Sequence, residues 1–326
     1  MGDSRRPTGV PDTMIGRYAL DRLIGSGVSS EVVLATDTHT NKQVALKVLR
    51  KDWIWKNDMG TLVQREIDIF KTLDHPCVVK LIEVFNSQDH VFIAMEAVHG
   101  RNLREELKRR GSMGEPRARG LFQQLMMAVE YLHSLSVAHR DIKLENVLLA
   151  GDGVRIRLAD FGLAAWLDEW EGDGCDGGAQ EKTKRRLSWR PAKRRSQRRQ
   201  QSDCGTPAYA APEIISSSDE QRYDARGVDT WCAGVCLYTL VTGHMPFGGK
   251  NVDDTLNAIM TTEPVFPEQL SPLADELASR HAGQGPRKAV DRSCRPEPPL
   301  DSEDTGAYFA RCRSTGLGLV GHPSSL

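Results

Sequence analysis

Two polar clusters in the middle of the chain have the residue types and the spacing that phosphate chemistry needs. The first cluster, residues 139–146, contains Asp141 and Asn146, and the second is Asp160-Phe161-Gly162. Phosphoryl transfer requires a carboxylate that orients the attacking hydroxyl and oxygen ligands that hold Mg²⁺ on the phosphates. Asp141 suits the first task, and Asn146 with Asp160 suits the second. The two clusters therefore predict a phosphoryl-transfer site.

A glycine-rich turn precedes both clusters. It reads Ile24-Gly25-Ser26-Gly27-Val28-Ser29-Ser30-Glu31-Val32, with a serine where a GxGxxG pattern has its third glycine. Glycines in such a turn let backbone N–H groups approach phosphate oxygens. Because the match is partial, the turn alone also fits an ordinary glycine hairpin.

Lys47 stands inside an otherwise apolar stretch, Val44-Ala45-Leu46-Lys47. A buried ammonium group is costly unless an anion pairs with it. One interpretation is a lysine on an edge strand that points to solvent. The other is a cation that pairs with nucleotide phosphates and with Glu66 on the next helix, and the preceding glycine turn favours it.

The elements that must position these residues follow from hydrophobic periodicity. Alternating apolar residues predict strands, and apolar residues at a spacing of three to four predict helices. The expected strands are 18–24, 31–37, 44–49, 78–85, 91–95 and 147–149, and the expected helices are 58–74, 103–109, 115–134 and 228–242. A sheet-rich half therefore precedes a helix-rich half.

Together these motifs resemble the eukaryotic protein kinases, most of all the calcium/calmodulin-dependent and SNF1-related group. The resemblance covers residues 18–273 and implies an α+β, two-lobed protein-kinase fold. Its N-lobe would be a five-stranded antiparallel sheet with one main helix, and its C-lobe would be mostly helical. The implied activity is transfer of the ATP γ-phosphate to protein serine or threonine, with ATP and Mg²⁺ as cofactors.

The resemblance also implies a role for each site residue. Asp141 would be the catalytic base, Lys143 would steady the γ-phosphate, and Thr206 would bond to both. Asn146 and Asp160 would hold the metal, and Asp229 would brace the catalytic loop. The residues expected to bind the nucleotide are Ile24, Gly25, Ser26, Gly27, Val28, Ser29, Ser30, Glu31, Val32, Ala45, Lys47, Glu66, Met95, Glu96, Val98 and Leu148.

The composition suggests how the chain is divided. Residues 168–181 carry six acids and no base, and residues 182–199 carry ten Lys or Arg and no acid. Such segregated charge rarely folds alone, so a disordered insertion is expected over 168–201. The expected units are a flexible arm 1–17, a kinase domain 18–275 (N-lobe 18–95, hinge 96–101, C-lobe 102–275) and an irregular tail 276–326. Basic residues 182–186 and 193–199 also resemble a two-part nuclear import signal.

The end of the domain departs from the family pattern. Kinases continue into further helices with an arginine that pairs with the glutamate matching Glu213, whereas residues 279–326 are rich in Arg, Pro, Gly and Ser. The C-lobe is therefore expected to be truncated. This leaves an alternative function, a nucleotide-binding pseudokinase or scaffold. A small-molecule kinase is disfavoured because residues 205–213 resemble a peptide-holding segment.

Charge and cysteine content limit the partners and the compartment. The 43 basic and 44 acidic residues create no single-sign field, so neither nucleic acid nor a membrane is an expected partner. Seven cysteines without a CxxC pair indicate reduced thiols, hence a cytoplasmic or nuclear protein. The expected partners are ATP, protein substrates and an upstream kinase that phosphorylates Ser202, since Arg140 could pair with a phosphate there.

The residues that would contact the substrate argue for only mild selectivity. Glu145 could pair with a substrate arginine upstream of the acceptor. Asn102 and Thr239 stand where strongly arginine-directed relatives carry acids, and neither can carry charge. We therefore expect a mild preference for upstream arginine.

Overall fold

The computed structural model describes residues 14–27, 30–167, 207–216 and 223–265. The strands are β1 (Met14–Ile15), β2 (Tyr18–Ser26), β3 (Ser30–Asp37), β4 (Lys42–Arg50), β5 (Leu81–Asn86), β6 (His90–Glu96), β7 (Gly100–Asn102), β8 (Val137–Ala138), β9 (Val147–Ala150), β10 (Ile156–Leu158) and β11 (Ala165–Trp166). The helices are α1 (Lys51–Lys56), α2 (Gly60–Thr72), α3 (Leu103–Arg110), α4 (Glu115–Ser134), α5 (Pro212–Ser216), α6 (Ala225–Thr242) and α7 (Val252–Thr261).

The N-lobe is an antiparallel sheet with the strand order β1-β2-β3-β4-β6-β5. Side chains alternate between the two faces of a strand, and β4 shows the consequence. Val44, Leu46 and Val48 are buried in an apolar cluster on one face. Ala45 and Lys47 therefore lie on the other face, which looks toward the C-lobe.

Two features at the start of the N-lobe correct the sequence-based expectation. Residues 14–15 form β1, which pairs with β2 and makes the sheet six-stranded rather than five-stranded. Arg17 also forms an ion pair with Asp37. The arm predicted over residues 1–17 is therefore too long by its last four residues. A short helix, α1, precedes the predicted main helix α2.

The C-lobe is built around α4 and α6. Helix α6 is buried over most of its circumference, as expected for a helix that is apolar on all sides. It begins at the cap Asp224, whose side chain accepts a hydrogen bond from the Arg226 N–H, and ends at Gly243, whose φ of +85° suits a left-handed cap. Buried residues of α4, such as Leu125 and Leu132, join the same apolar core.

Two small sheets accompany this core, one with three strands and one with two. The order β10-β9-β7 brings the hinge next to the strand that follows the first polar cluster, and β11 pairs with β8. The strand predicted over 78–85 begins later, at Leu81, and Val78 forms only an isolated bridge to Leu158. In the part of the chain that the structure describes, no helix is long and apolar enough to cross a bilayer.

Several expectations fall on residues outside the described ranges. These are the charged insertion 168–201, residues 1–13 of the arm, the tail 276–326 and the truncated end of the C-lobe after residue 265.

Candidate active site

The centre of the site is a trio of charged side chains between the two lobes. Nζ of Lys47, on β4, lies 2.5 Å from Oε1 of Glu66 on α2 and 3.2 Å from Oδ1 of Asp160. Lys47 and Glu66 are largely buried, whereas the side chain of Asp160 is 51% exposed. The strand, the helix and the Asp-Phe-Gly turn therefore meet at one ammonium group.

The trio is electrostatically matched. Burial would lower the pKa of Lys47, but the carboxylates of Glu66 and Asp160 outweigh it and raise that pKa above its ordinary value. The ammonium group of Lys47 in turn lowers the pKa of Asp160, against the effect of burial. Lys47 therefore stays cationic and Asp160 anionic at neutral pH. The edge-strand interpretation of Lys47 is wrong because β4 lies between β3 and β6 and the Lys47 side chain is largely buried.

The Asp-Phe-Gly turn is held by aromatic packing. Phe161 is buried, with its ring centroid 5.2 Å from that of Phe70 on α2 and 5.1 Å from that of His139. A Cβ on Gly162 would lie 3.4 Å from Oδ1 of Asp160, so glycine there leaves room for the carboxylate. Asp160 itself has a φ of +64°. The packing around Phe161 holds this unfavourable backbone in place.

The carboxylate of Asp141 lies in a hydrogen-bonded loop. Lys143 Nζ donates to its Oδ2 at 2.7 Å. Asn146 Nδ2 donates to the same Oδ2 at 2.9 Å and to the Asp141 carbonyl at 2.8 Å. The side chain of Asp141 is 14% exposed, so part of it can reach a reactant. The structure thus brings together the three residues that the loop motif predicts.

Asp229 on α6 holds this loop from below. Its fully buried carboxylate accepts hydrogen bonds from the backbone N–H groups of His139 at 2.9 Å and Arg140 at 2.7 Å. His133 Nε2 lies 2.9 Å from the same carboxylate. Arg140 has a φ of +64°, a conformation that Asp229 stabilises directly. The bracing role predicted for Asp229 fits these contacts, whereas sequence reasoning missed His133.

The predicted nucleotide residues of the sheet lie on two different faces. The register pairs Gly25 with Val32, Val32 with Lys47, and Ala45 with Met95, which puts all five on one face. Apart from Lys47, these residues are small or apolar, and such side chains suit a flat aromatic ring such as adenine.

Glu31 belongs to the other face of the sheet. It pairs with Ser26 and Val48, and Val48 lies in the apolar cluster away from Lys47. The register therefore does not bring the Glu31 side chain to Lys47. The motif predicts Glu31 as a nucleotide residue from its place beside the turn. Sequence order alone does not determine which face of the sheet its side chain occupies.

A backbone hydrogen bond joins the described ends of the turn between β2 and β3. Gly27 N–H donates to the Ser30 carbonyl at 2.7 Å. Ile24 is 48% exposed and lies beside a register shift of β2. Val28 and Ser29 at the tip of the turn lie outside the described residues, as does Thr206.

The hinge contributes the remaining nucleotide residues. Glu96 ends β6, donates its backbone N–H to the Lys80 carbonyl at 2.9 Å, and accepts from Arg157 Nε at 2.7 Å. Val98 is half-buried between β6 and β7. Leu148 on β9 pairs with Asn102 of β7, so its strand lies beside the hinge. The Arg157–Glu96 ion pair was not predicted, because the partners are distant in sequence.

Asp160 and Asn146 fit Mg²⁺ on the chemistry of their donor atoms. Asn146 uses its amide nitrogen on Asp141, which leaves the amide oxygen as the group able to face a cation. In the described ranges no three His, Cys, Asp or Glu side chains cluster as a metal site of their own. Mg²⁺ is commonly held by one or two protein oxygens together with substrate phosphates. Two oxygen donors beside the ammonium group of Lys47 fit that pattern.

An antiparallel sheet and a helical lobe, with the lysine–glutamate pair and the Asp141 loop between them, form the architecture of a protein kinase domain. The sequence model of the family described as protein kinase domain matches residues 18–282 of this chain. The chain therefore belongs to the protein kinase family, and the predicted fold and family are confirmed.

Curated relatives support the same assignment. CBL-interacting protein kinase 33 of Oryza sativa subsp. japonica is 35% identical over 276 residues, which cover 85% of this chain and 55% of the relative. CBL-interacting serine/threonine-protein kinase 16 of Arabidopsis thaliana is 36% identical over 294 residues, covering 90% of this chain and 58% of the relative. The chain thus spans little more than half the length of these relatives.

Proposed function

We propose that this chain is a serine/threonine protein kinase that transfers the γ-phosphate of ATP to hydroxyl groups of proteins. The observation that carries the proposal is the setting of Asp141, whose carboxylate is oriented by Lys143 and Asn146, in a loop where the charge of Lys143 also acts on Asp160 of the trio. A carboxylate in such a setting can orient an acceptor hydroxyl and accept its proton. The Asp-x-Lys form of the loop supports serine and threonine as acceptors.

The other site residues support a consistent division of roles. Lys47, fixed by Glu66, would pair with the nucleotide phosphates, and Lys143 would steady the γ-phosphate. The nucleotide would lie against the face of Gly25, Val32, Ala45 and Met95, with Ile24, Val98 and Leu148 around it. Mg²⁺ held by Asn146 and Asp160 would neutralise phosphate charge. Thr206 remains a proposed partner of Asp141 from its motif alone.

The test of this function is the chemical identity of the product. The full chain is incubated with Mg²⁺, γ-labelled ATP and a mixture of protein acceptors, and the label is followed by phosphoamino-acid analysis. We expect phosphoserine and phosphothreonine. Label found only on tyrosine or on a small molecule would contradict the proposal.

A melting experiment separates the enzyme from the scaffold alternative. Mg-ATP that binds the native protein raises its Tm by mass action. We expect a rise with Mg-ATP that Lys47→Met abolishes, accompanied by phosphate transfer in the wild type. A rise in Tm without any transfer would favour the nucleotide-binding scaffold.

Regulation and location extend the same proposal. We assign phosphorylation of Ser202 to an upstream kinase, because a phosphate can form charge-assisted hydrogen bonds with an arginine such as Arg140. Ser202→Ala should lower activity, and mass spectrometry of active protein should find the phosphate. The described cysteines Cys77, Cys232 and Cys236 are buried, and the thiols of Cys232 and Cys236 are free, in keeping with a cytoplasmic or nuclear protein.

A further inference from the structure

The carboxylate of Glu145 is already engaged by a cation of the same chain. Nη1 of Arg104, in the first turn of α3, lies 3.1 Å from Oε1 of Glu145. The backbone N–H of Arg104 also donates to the Leu144 carbonyl at 3.3 Å. Helix α3 is therefore fastened to the loop that carries Asp141 by both its backbone and its side chain.

The second oxygen of Glu145 is closed off. Oε2 is buried and has no hydrogen-bond partner among the described residues. Burial raises the pKa of the Cys236 thiol, and the charge of Glu145 adds to the effect, which places this carboxylate close to α6. The side chain of Glu145 is 29% exposed, and Oε2 contributes nothing to that exposure. An incoming cation can therefore approach only the oxygen that Arg104 holds.

Glu145 also lies where a peptide substrate has to pass. Glu145 directly precedes Asn146, whose side chain forms a hydrogen bond with the carboxylate of Asp141. The Leu144 N–H donates to the hydroxyl of Tyr209 at 3.3 Å, which joins this part of the loop to the turn Pro207–Tyr209. A peptide that presents its hydroxyl to Asp141 and runs along this turn passes beside Glu145.

We propose that Arg104 is a specificity-determining residue, because its guanidinium group occupies the carboxylate that a substrate arginine would otherwise use. The proposal rests on the proposed kinase function and deepens it. A substrate arginine has to displace Arg104 before it gains a charge-assisted hydrogen bond, so it gains little over alanine. Asn102, which caps α3 through Glu105 N–H, and Thr239, which is buried, are both neutral, so neither of these two positions offers a substrate arginine a further carboxylate. Substrates without upstream arginines are therefore accepted.

The experiment compares two peptides that differ only by arginine or alanine at the positions just before the acceptor serine. The full chain is assayed as wild type, Arg104→Met, Glu145→Gln and the double variant. Methionine keeps the aliphatic stem and removes the charge. We expect Arg104→Met to raise the kcat/KM ratio of the arginine peptide over the alanine peptide about three- to tenfold. The double variant should lose this gain. Lys108→Ala, which removes one exposed charge from the same helix, is the matched control.

The outcomes separate this proposal from the kinase function. An equal ratio in wild type and Arg104→Met overturns the role of Arg104, as does an equal rise in Lys108→Ala. If no variant transfers phosphate, the proposed function fails, and binding of the labelled arginine peptide by fluorescence anisotropy still tests the site. Tighter binding in Arg104→Met than in wild type supports the role of Arg104, and equal binding refutes it.

Discussion

Nζ of Lys47 lies 2.5 Å from Oε1 of Glu66, and this ion pair joins the N-lobe sheet to helix α2. The pair also fixes the ammonium group at the distance from which it reaches Asp160. The raised pKa of Lys47, against the effect of its burial, stabilises the folded protein at every pH below the ordinary pKa of lysine. That contribution is lost only as the pH rises through the raised value. The position of α2 and the charge state of the site therefore depend on the same ion pair.

Replacement of Glu66 by glutamine should disturb both stability and activity. The change leaves a buried ammonium group with Asp160 as its one charged neighbour in the described trio. We expect a loss of about 1–3 kcal/mol in the free energy of unfolding. Transfer activity should fall about tenfold or more, because the ammonium group that we propose to bind the phosphates is no longer positioned. Chemical denaturation and kcat/KM for ATP measure the two effects. Glu130→Gln, on the exposed side of α4, should change neither.

Asp229→Asn should slow the chemical step. The asparagine amide presents an N–H₂ group to one of the backbone N–H donors of His139 and Arg140, so one hydrogen bond becomes a repulsion. We expect a stability loss of about 1–3 kcal/mol. kcat should fall more than the KM for ATP rises, since Asp229 touches the loop of Asp141 and not the nucleotide face. Asp89→Asn, in an exposed turn, is the control, and an unchanged kcat for Asp229→Asn would refute the bracing role.

The ion pairs of Glu106 should make the fold less stable in acid. Hydrogen bonds from Arg109 lower its pKa, burial opposes them, and bonds from Arg110 and Arg117 bring the value to about 2. A depressed carboxyl pKa stabilises the fold above the unfolded-state value near 4.5, and the contribution is lost as the pH falls toward 2. Glu106→Gln should therefore cost about 1–3 kcal/mol at pH 7 and progressively less in acid. Urea unfolding at several pH values, with Glu105→Gln as the control, measures it. A cost independent of pH would contradict the electrostatic origin.

The environment of Glu213 should give the stability of the fold a pH dependence opposite in sign to that from Glu106. Burial raises its pKa, and the nearby Asp224 adds to the effect. In the described residues no basic side chain forms an ion pair with it within 4.0 Å. A raised carboxyl pKa means that stability falls as the pH rises from the unfolded-state pKa through the folded one. Glu213→Gln should therefore have a higher Tm than the wild type at neutral pH, and the difference should vanish in acid. A lower Tm at neutral pH would indicate that a cation pairs with Glu213.

The sequence predicted the elements with strong periodicity and missed those defined by tertiary contacts. Helix α4 was predicted with its observed bounds, because apolar side chains at helical spacing run through its whole length. Strand β1 was missed because two residues show no period. Lys47 and Glu66 were paired correctly because a buried cation needs an anion.

Contacts between distant segments had no local signal. The Arg104–Glu145 ion pair joins α3 to the catalytic loop, and His133 meets Asp229 across two helices. Arg104 and His133 are ordinary in their own stretches of sequence. Only the folded arrangement shows that Glu145, predicted as a partner for substrate arginine, already has a partner.

The measurement that tests the central claim most directly is phosphate transfer by Asp141→Asn. Wild type, Asp141→Asn and the control Asp253→Asn, an exposed aspartate of α7, are compared with saturating Mg-ATP and a serine-containing protein acceptor. The change removes the carboxylate that we propose to orient the hydroxyl and accept its proton. We predict a rate about 10²–10⁴-fold below wild type for Asp141→Asn, with Mg-ATP still raising the Tm of the variant. Equal rates for Asp141→Asn and wild type would contradict the account.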